Sequence, residues 1–276
     1  MVGVTFQINH INCASMAPRV PGGLAPERMV AHCLLVERDT GLVLVDTGFG
    51  TVDIAERRMG RAFIAFLGAA LDPAETALAQ VRAAGYEASD VTDIVVTHLD
   101  LDHAGGLGDF PQARVHVFGE ELAAARARKS YKERNRYVAA QWSHHPNWVE
   151  HEVVGESWLG FGSVRVLGND LLLVPLQGHS RGHCGVAVRR PSGGWFLHAG
   201  DSYFSYAEKE TPPTCPSGLA LFQSIVQMDK SARLANQDRL RHLHAEHGPG
   251  SGSPEEVTVF SAHDAREFAA LAGVVD

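Results

Sequence analysis

The chain is poor in cysteine and spreads what it has. Its four cysteines, Cys13, Cys33, Cys184 and Cys215, stand far apart with no Cys-x-x-Cys spacing, which excludes a disulfide framework and a zinc ribbon and leaves free or buried thiols as the expectation. Long apolar runs are also missing. No stretch approaches the roughly 18 to 20 residues that span a bilayer, and Met1 to Ser15 lacks a basic segment followed by an apolar one, so a soluble cytoplasmic protein that spans no membrane is expected. Positive charge is outweighed: the formal net charge is −8 with histidine neutral. Basic residues cluster only from Arg126 to Arg136, which reads as a solvated helix face, so nucleic acid is not an expected partner and a small-molecule substrate is. There is no fixed-period repeat, no low-complexity tract and no Ser-His-Asp constellation.

With 276 residues and 45% hydrophobic content, the chain is expected to form one domain over 1–276. Apolar, β-branched runs predict strands at Val4 to Ile11, Met29 to Glu37, Leu42 to Asp46, Asp93 to Thr97 and Ala113 to Phe118. A second β-rich half follows at Ser163 to Leu167, Leu171 to Leu176, Cys184 to Arg190, Trp195 to His198 and Val257 to Ala262. Helices are expected at Pro73 to Gly85, Gly119 to Arg128, Pro216 to Asp229 and Ser231 to His244. Cys13 to Arg28, rich in proline and glycine, reads as a surface loop. Trp142-Ser143-His144-His145-Pro146-Asn147-Trp148 reads as a packed turn or, alternatively, a substrate-contacting cap.

Chemistry is concentrated in Thr97-His98-Leu99-Asp100-Leu101-Asp102-His103-Ala104-Gly105-Gly106. His98, Asp100, Asp102 and His103 would repel one another or stay unsatisfied beside an apolar strand unless cations bound them, and the spacing suits two adjacent metal ions. Further carboxylates and imidazoles stand at strand ends: Asp46, His179 and His183, Asp201, and His263.

These landmarks, in this order, resemble the metallo-β-lactamase superfamily. The first stretch looks like its His-x-His-x-Asp-His loop with Asp100 in place of the second His, and Gly178 to His183 matches its Gly-His-x-x-Gly-His motif. The resemblance covers nearly the whole chain and implies an α+β fold, a four-layer αββα sandwich of two mixed sheets packed face to face with helices outside. It implies the metal ligands His98, Asp100, Asp102, His103, His179, Asp201 and His263, with Asp201 shared. His263 is preferred to His247, which has no strand before it; Asp46 is expected to be structural, His183 to orient a ligand by a hydrogen bond or else to coordinate, and His198 to be a satisfied strand histidine. The cofactors implied are two divalent ions, zinc first, with manganese, iron or cobalt as alternatives.

The terminal Ala262-His263-Asp264 and Thr-His-Leu-x-x-Asp-His-Ala-Gly-Gly look most like the acyl-homoserine-lactone lactonases. That implies a metallo-hydrolase opening a lactone or related ester, with Asp102 and Tyr203 as catalytic residues. β-Lactam, thioester, organophosphate and sulfate ester hydrolysis are alternatives on the same scaffold, followed by a non-haem di-iron redox protein or a non-catalytic binding protein. Asp100 implies one thing more. With two divalent ions, three carboxylates and a hydroxide the inner shell is neutral, so Asp100→His is expected to tighten zinc binding and to move the acidic limb of the pH–rate profile to lower pH.

Overall fold

In the computed structural model, which describes residues 6–20 and 22–273, two sheets face each other. The first takes its strands in chain order: β1 (Gln7–Met16), β2 (Met29–Arg38), β3 (Gly41–Val45), β4 (Val91–Val95), β5 (Arg114–Phe118) and β6 (Asn147–His151). It opens antiparallel and turns parallel from β3 onward. A two-stranded hairpin, β7 (Ser157–Trp158) with β8 (Phe161–Gly162), precedes the second sheet of β9 (Val164–Leu167), β10 (Leu171–Pro175), β11 (Cys184–Arg189), β12 (Trp195–His198) and β13 (Val257–Phe260), ordered β13-β12-β11-β10-β9. Only its β12–β13 pair is parallel.

Strand alternation shows why four layers form. Leu34, Val36, Val43 and Val45 from the first sheet meet Leu171, Leu173, Val186 and Val188 from the second in one core between the sheets. The intervening residues Cys33, Leu35, Leu42 and Leu44 point the other way, into a core shared with helices, and Leu172 and Val174 do the same on the second sheet. Strands buried on both faces must be apolar at successive positions, which is why these runs read as continuous rather than alternating.

The helices lie outside. On the first sheet's side are α1 (Thr51–Glu56), α2 (Arg61–Leu67), α3 (Ala77–Ala83), α4 (Leu101–Ala104), α5 (Gly119–Ala127) and α6 (Tyr131–Arg136). The remainder are α7 (Ser217–Val226), α8 (Lys230–His247) and α9 (Ala265–Leu271). The helix expected over Pro73 to Gly85 is broken. Pro73–Glu75 forms a 3-10 turn, Thr76 is extended, and its hydroxyl accepts from Ala79 N at 3.2 Å to start α3 afresh, a capping role that threonine takes readily. The loop expected from Cys13 starts later, because β1 runs on to Met16 beside Met29. Among the described residues no helix is long and apolar enough to cross a membrane, and all four cysteines are free thiols.

At one end the two sheets are joined by backbone hydrogen bonds. Cys184 N donates to Thr97 O at 2.9 Å and His32 N to Ala262 O at 2.8 Å. Helix α5 is pressed against the loop after β10 at the same end: a Cβ on Gly182 would collide with the backbone nitrogen of Glu121. Gly182→Ala is therefore expected to force this joint apart and cost about 1–3 kcal/mol, the usual scale of overpacking. A melting curve unchanged from wild type would show that the contact is not tight.

Candidate metal centre

Four strands of the two sheets end at this joint, and each delivers metal-capable side chains. His98, Asp100, Asp102 and His103 follow β4 and run into the short helix α4, His179 follows β10, Asp201 follows β12, and His263 follows β13. Three groupings of ligand atoms lie within 4.8 Å of one another: His98, Asp100 and His179; Asp102, His103 and His263; and His98, His103 and Asp201.

Asp201 joins the sets with its two oxygens. Oδ2 lies 3.4 Å from His179 Nε2 and 3.9 Å from His98 Nε2, while Oδ1 lies 3.2 Å from His103 Nε2 and 3.1 Å from His263 Nε2. Asp102 closes the second set, with Oδ2 3.7 Å from His263 Nε2 and Oδ1 3.9 Å from His103 Nε2.

Each imidazole is aimed by what its other nitrogen does. His103 Nδ1 bonds Asp46 Oδ2 at 2.8 Å and His263 Nδ1 bonds the Val30 carbonyl at 2.7 Å. His98 Nδ1 lies 2.9 Å from Thr97 Oγ1, whose own proton goes to Asp46 Oδ2 at 2.7 Å, so the ring nitrogen is the donor. In all three Nε2 faces the centre, the arrangement by which outer partners orient metal-binding histidines. Asp46, held at a left-handed φ of 57°, also accepts from Thr97 N at 2.7 Å. His183 braces Asp201: its Nδ1 donates to Leu176 O at 2.9 Å, leaving Nε2 to accept from Asp201 N at 2.9 Å.

The residues fit a metal by a physical test. His98 Nε2, His103 Nε2, Asp100 Oδ1 and Asp201 Oδ1 are buried with no hydrogen-bond partner among the described residues, a costly state unless a cation pairs with them. Electrostatics agree. Burial would lower the His103 pKa, yet Asp201, Asp46 and Asp102 raise it well above the ordinary value, so the pocket draws positive charge. A metal ion would take the place of that proton.

Two residues here escaped the sequence reading. Glu121 on α5 is fully buried and accepts from Leu99 N at 3.0 Å, Ser180 Oγ at 2.7 Å and Gly182 N at 3.0 Å, clamping the His98 loop to the His179 loop. Arg136 was expected on a solvated face, but its side chain is 7% exposed and Nη1 donates to Asp100 Oδ2 at 3.0 Å. Burial and the Arg136 guanidinium push His179 down to about 4. The neutral shell inferred from Asp100 alone therefore omitted a buried positive charge.

Tyr203, expected to be catalytic, is turned away. It is 1% exposed and its hydroxyl donates to Glu267 Oε1 at 3.0 Å, because the residue facing the site is the next one, Phe204, stacked on His263 at 5.0 Å. The Trp142 to Trp148 segment is packed, not a cap: Trp142 and Trp148 pack against the helix-side core, and Gln141 Nε2 bonds Leu101 O at 2.9 Å beneath α4. His198 bonds the His32 carbonyl, and His247 Nδ1 lies 2.7 Å from Ser253 Oγ at the end of α8.

The model of the metallo-β-lactamase superfamily matches residues 27–239. The chain belongs to the metallo-β-lactamase superfamily. Over 265 residues it is 38% identical to a probable metallo-hydrolase of Mycobacterium tuberculosis, covering 95% of this chain and 81% of that one. It is 25% identical over 216 residues to an N-acyl homoserine lactonase of Bacillus cereus, covering 78% of each. A solved N-acyl homoserine lactone hydrolase, with N-hexanoyl-L-homoserine bound at its catalytic metal centre, aligns with a TM-score of 0.70 at 21% identity over 98% of this chain and 97% of that one. Superfamily membership and the αββα layers agree with the sequence expectation, as does the metallo-hydrolase class.

His263→Ala is expected to lower the metal content of reloaded protein, while His247→Ala leaves it unchanged. Elemental analysis after chelation and reloading is the check, and the reverse pattern would contradict the geometry.

Proposed function

We propose that this metallo-hydrolase opens a lactone or related carboxylic ester at a centre holding two divalent ions. His98, Asp100 and His179 would hold one ion and Asp102, His103 and His263 the other, with Asp201 shared. The observation that carries the reading is the division of Asp201, one oxygen toward each donor set, at the floor of a cavity of about 660 Å³. Mixed imidazole and carboxylate donors suit zinc, and manganese, iron or cobalt accept the same ligands.

When bound, the ions supply a water whose pKa falls from about 15.7 to about 7 and a Lewis acid for the carbonyl oxygen. The chain's own residues do the remaining work. Met16, Met29, Met59, Leu67, Phe222 and Ile225 wall the cavity with apolar surface that takes an acyl chain and keeps bulk water back. Asp102, whose side chain is 19% exposed, presents a carboxyl group to the cavity. There it would take up the proton that the attacking water loses and pass it to the departing ring oxygen. Phe204 limits the space beside His263.

Similarity to N-acyl homoserine lactonases supports the lactone as first substrate, while the 38% identical relative is named only by class. The test is a panel of N-acyl homoserine lactones, β-lactams, thioesters, phosphotriesters and sulfate esters with metal-loaded enzyme. A lactone is expected to give the highest kcat/KM; a different class preferred by tenfold or more, on the order of 1.4 kcal/mol of transition-state binding, would overturn the proposal. Asp102→Asn is expected to cut kcat by about 10²- to 10⁴-fold. Tyr203→Phe is expected to leave kcat alone and to cost about 1 kcal/mol of stability through its lost hydrogen bond, measured by denaturant unfolding.

A further inference from the structure

One oxygen of Asp100 has two claims on it. Oδ2 lies 3.0 Å from His179 Nε2 and 3.4 Å from His98 Nε2, so it is the oxygen that faces the first donor set. The same oxygen accepts from Arg136 Nη1 at 3.0 Å. Arg136 is held in that position. Its other terminal nitrogen donates to the Val226 carbonyl at the end of α7, and one turn earlier Lys132 Nζ donates to Gln227 O at 3.1 Å. The second set has no such neighbour: the ion pairs of Asp102 among the described residues are with His103 and His263.

Charge then distinguishes the two positions. A guanidinium cannot lose its proton in a protein, so a cation at the first set would share an oxygen with a fixed positive charge in a buried place, where like charges repel more strongly than in water. The carboxylate of Asp100 and the guanidinium of Arg136 together carry no net charge, as a neutral imidazole does.

We infer that Asp100 and Arg136 act as one unit in the position where the family's loop has its second histidine, with Arg136 the resident counter-charge that makes the ion held by His98, Asp100 and His179 the looser of two. This rests on the two-ion reading above. It also reverses the expectation for Asp100→His. With Arg136 still present, the new imidazole would leave a buried guanidinium unpaired beside the ion.

The test is a zinc titration of metal-free protein against a chromogenic chelator, on wild type, Arg136→Met, Asp100→His and the double variant. Wild type is expected to take two zinc ions of unequal affinity. Arg136→Met should hold the looser one roughly tenfold or more tightly, Asp100→His should hold it more weakly than wild type, and the double variant should recover at least wild-type affinity. Melting of each metal-free variant separates a charge effect from a packing one. Two ions in wild type with no tightening in a folded Arg136→Met protein would overturn this inference alone. Fewer than two ions in saturated wild type would overturn the two-ion reading and this inference with it.

Discussion

Buried donor atoms that the protein leaves unpaired are the constraint around which this structure is organised. His98 Nε2, His103 Nε2, Asp100 Oδ1 and Asp201 Oδ1 are buried without hydrogen-bond partners among the described residues, and each such atom costs about 1–3 kcal/mol. Spontaneous collapse would turn these side chains toward other partners. They stay in place because every one is held by a group already committed to the fold: Asp46 on His103, Thr97 on His98, Arg136 on Asp100, and His183 on the backbone of Asp201.

Those braces need the two sheets to be fixed relative to each other. The first donor set draws His98 and Asp100 from one sheet and His179 from the other, and the second draws Asp102 and His103 from one and His263 from the other. The interleaved aliphatic core between the sheets, the cross-sheet backbone bonds at Thr97 and Ala262, and the Glu121 clamp between the two loops therefore set the spacing of the donor atoms as directly as the donor residues do. Packing at strand ends and chemistry at strand ends are here one property.

Much of this was legible in the sequence, for reasons that differ by element. Strands buried on both faces announce themselves as apolar runs, so β2, β3, β10 and β12 stand within a residue or so of their expected bounds. The half-exposed edge strand β6 carries no such run and was missed. Candidate ligands on tight loops after strands, such as His179 and Asp201, could be placed because a motif and a strand end coincide. Groups that arrive from distant elements could not. Glu121 lies in an ordinary helix, Arg136 lies in a basic run that resembles any solvated face, and the Val30 carbonyl has no signal at all. Tyr203 shows the opposite error: a one-residue shift after Asp201 sends the hydroxyl into the core toward Glu267 and puts Phe204 over the centre.

In the proposed function Asp201 would sit between two ions, one held with each donor set. A crystal of metal-loaded protein with diffraction data recorded on both sides of the metal absorption edge tests it most directly. The account predicts two anomalous peaks about 3.5–4 Å apart, one beside each oxygen of Asp201, with the weaker peak next to Asp100. A single peak, or a pair of peaks that do not bracket Asp201, would contradict it.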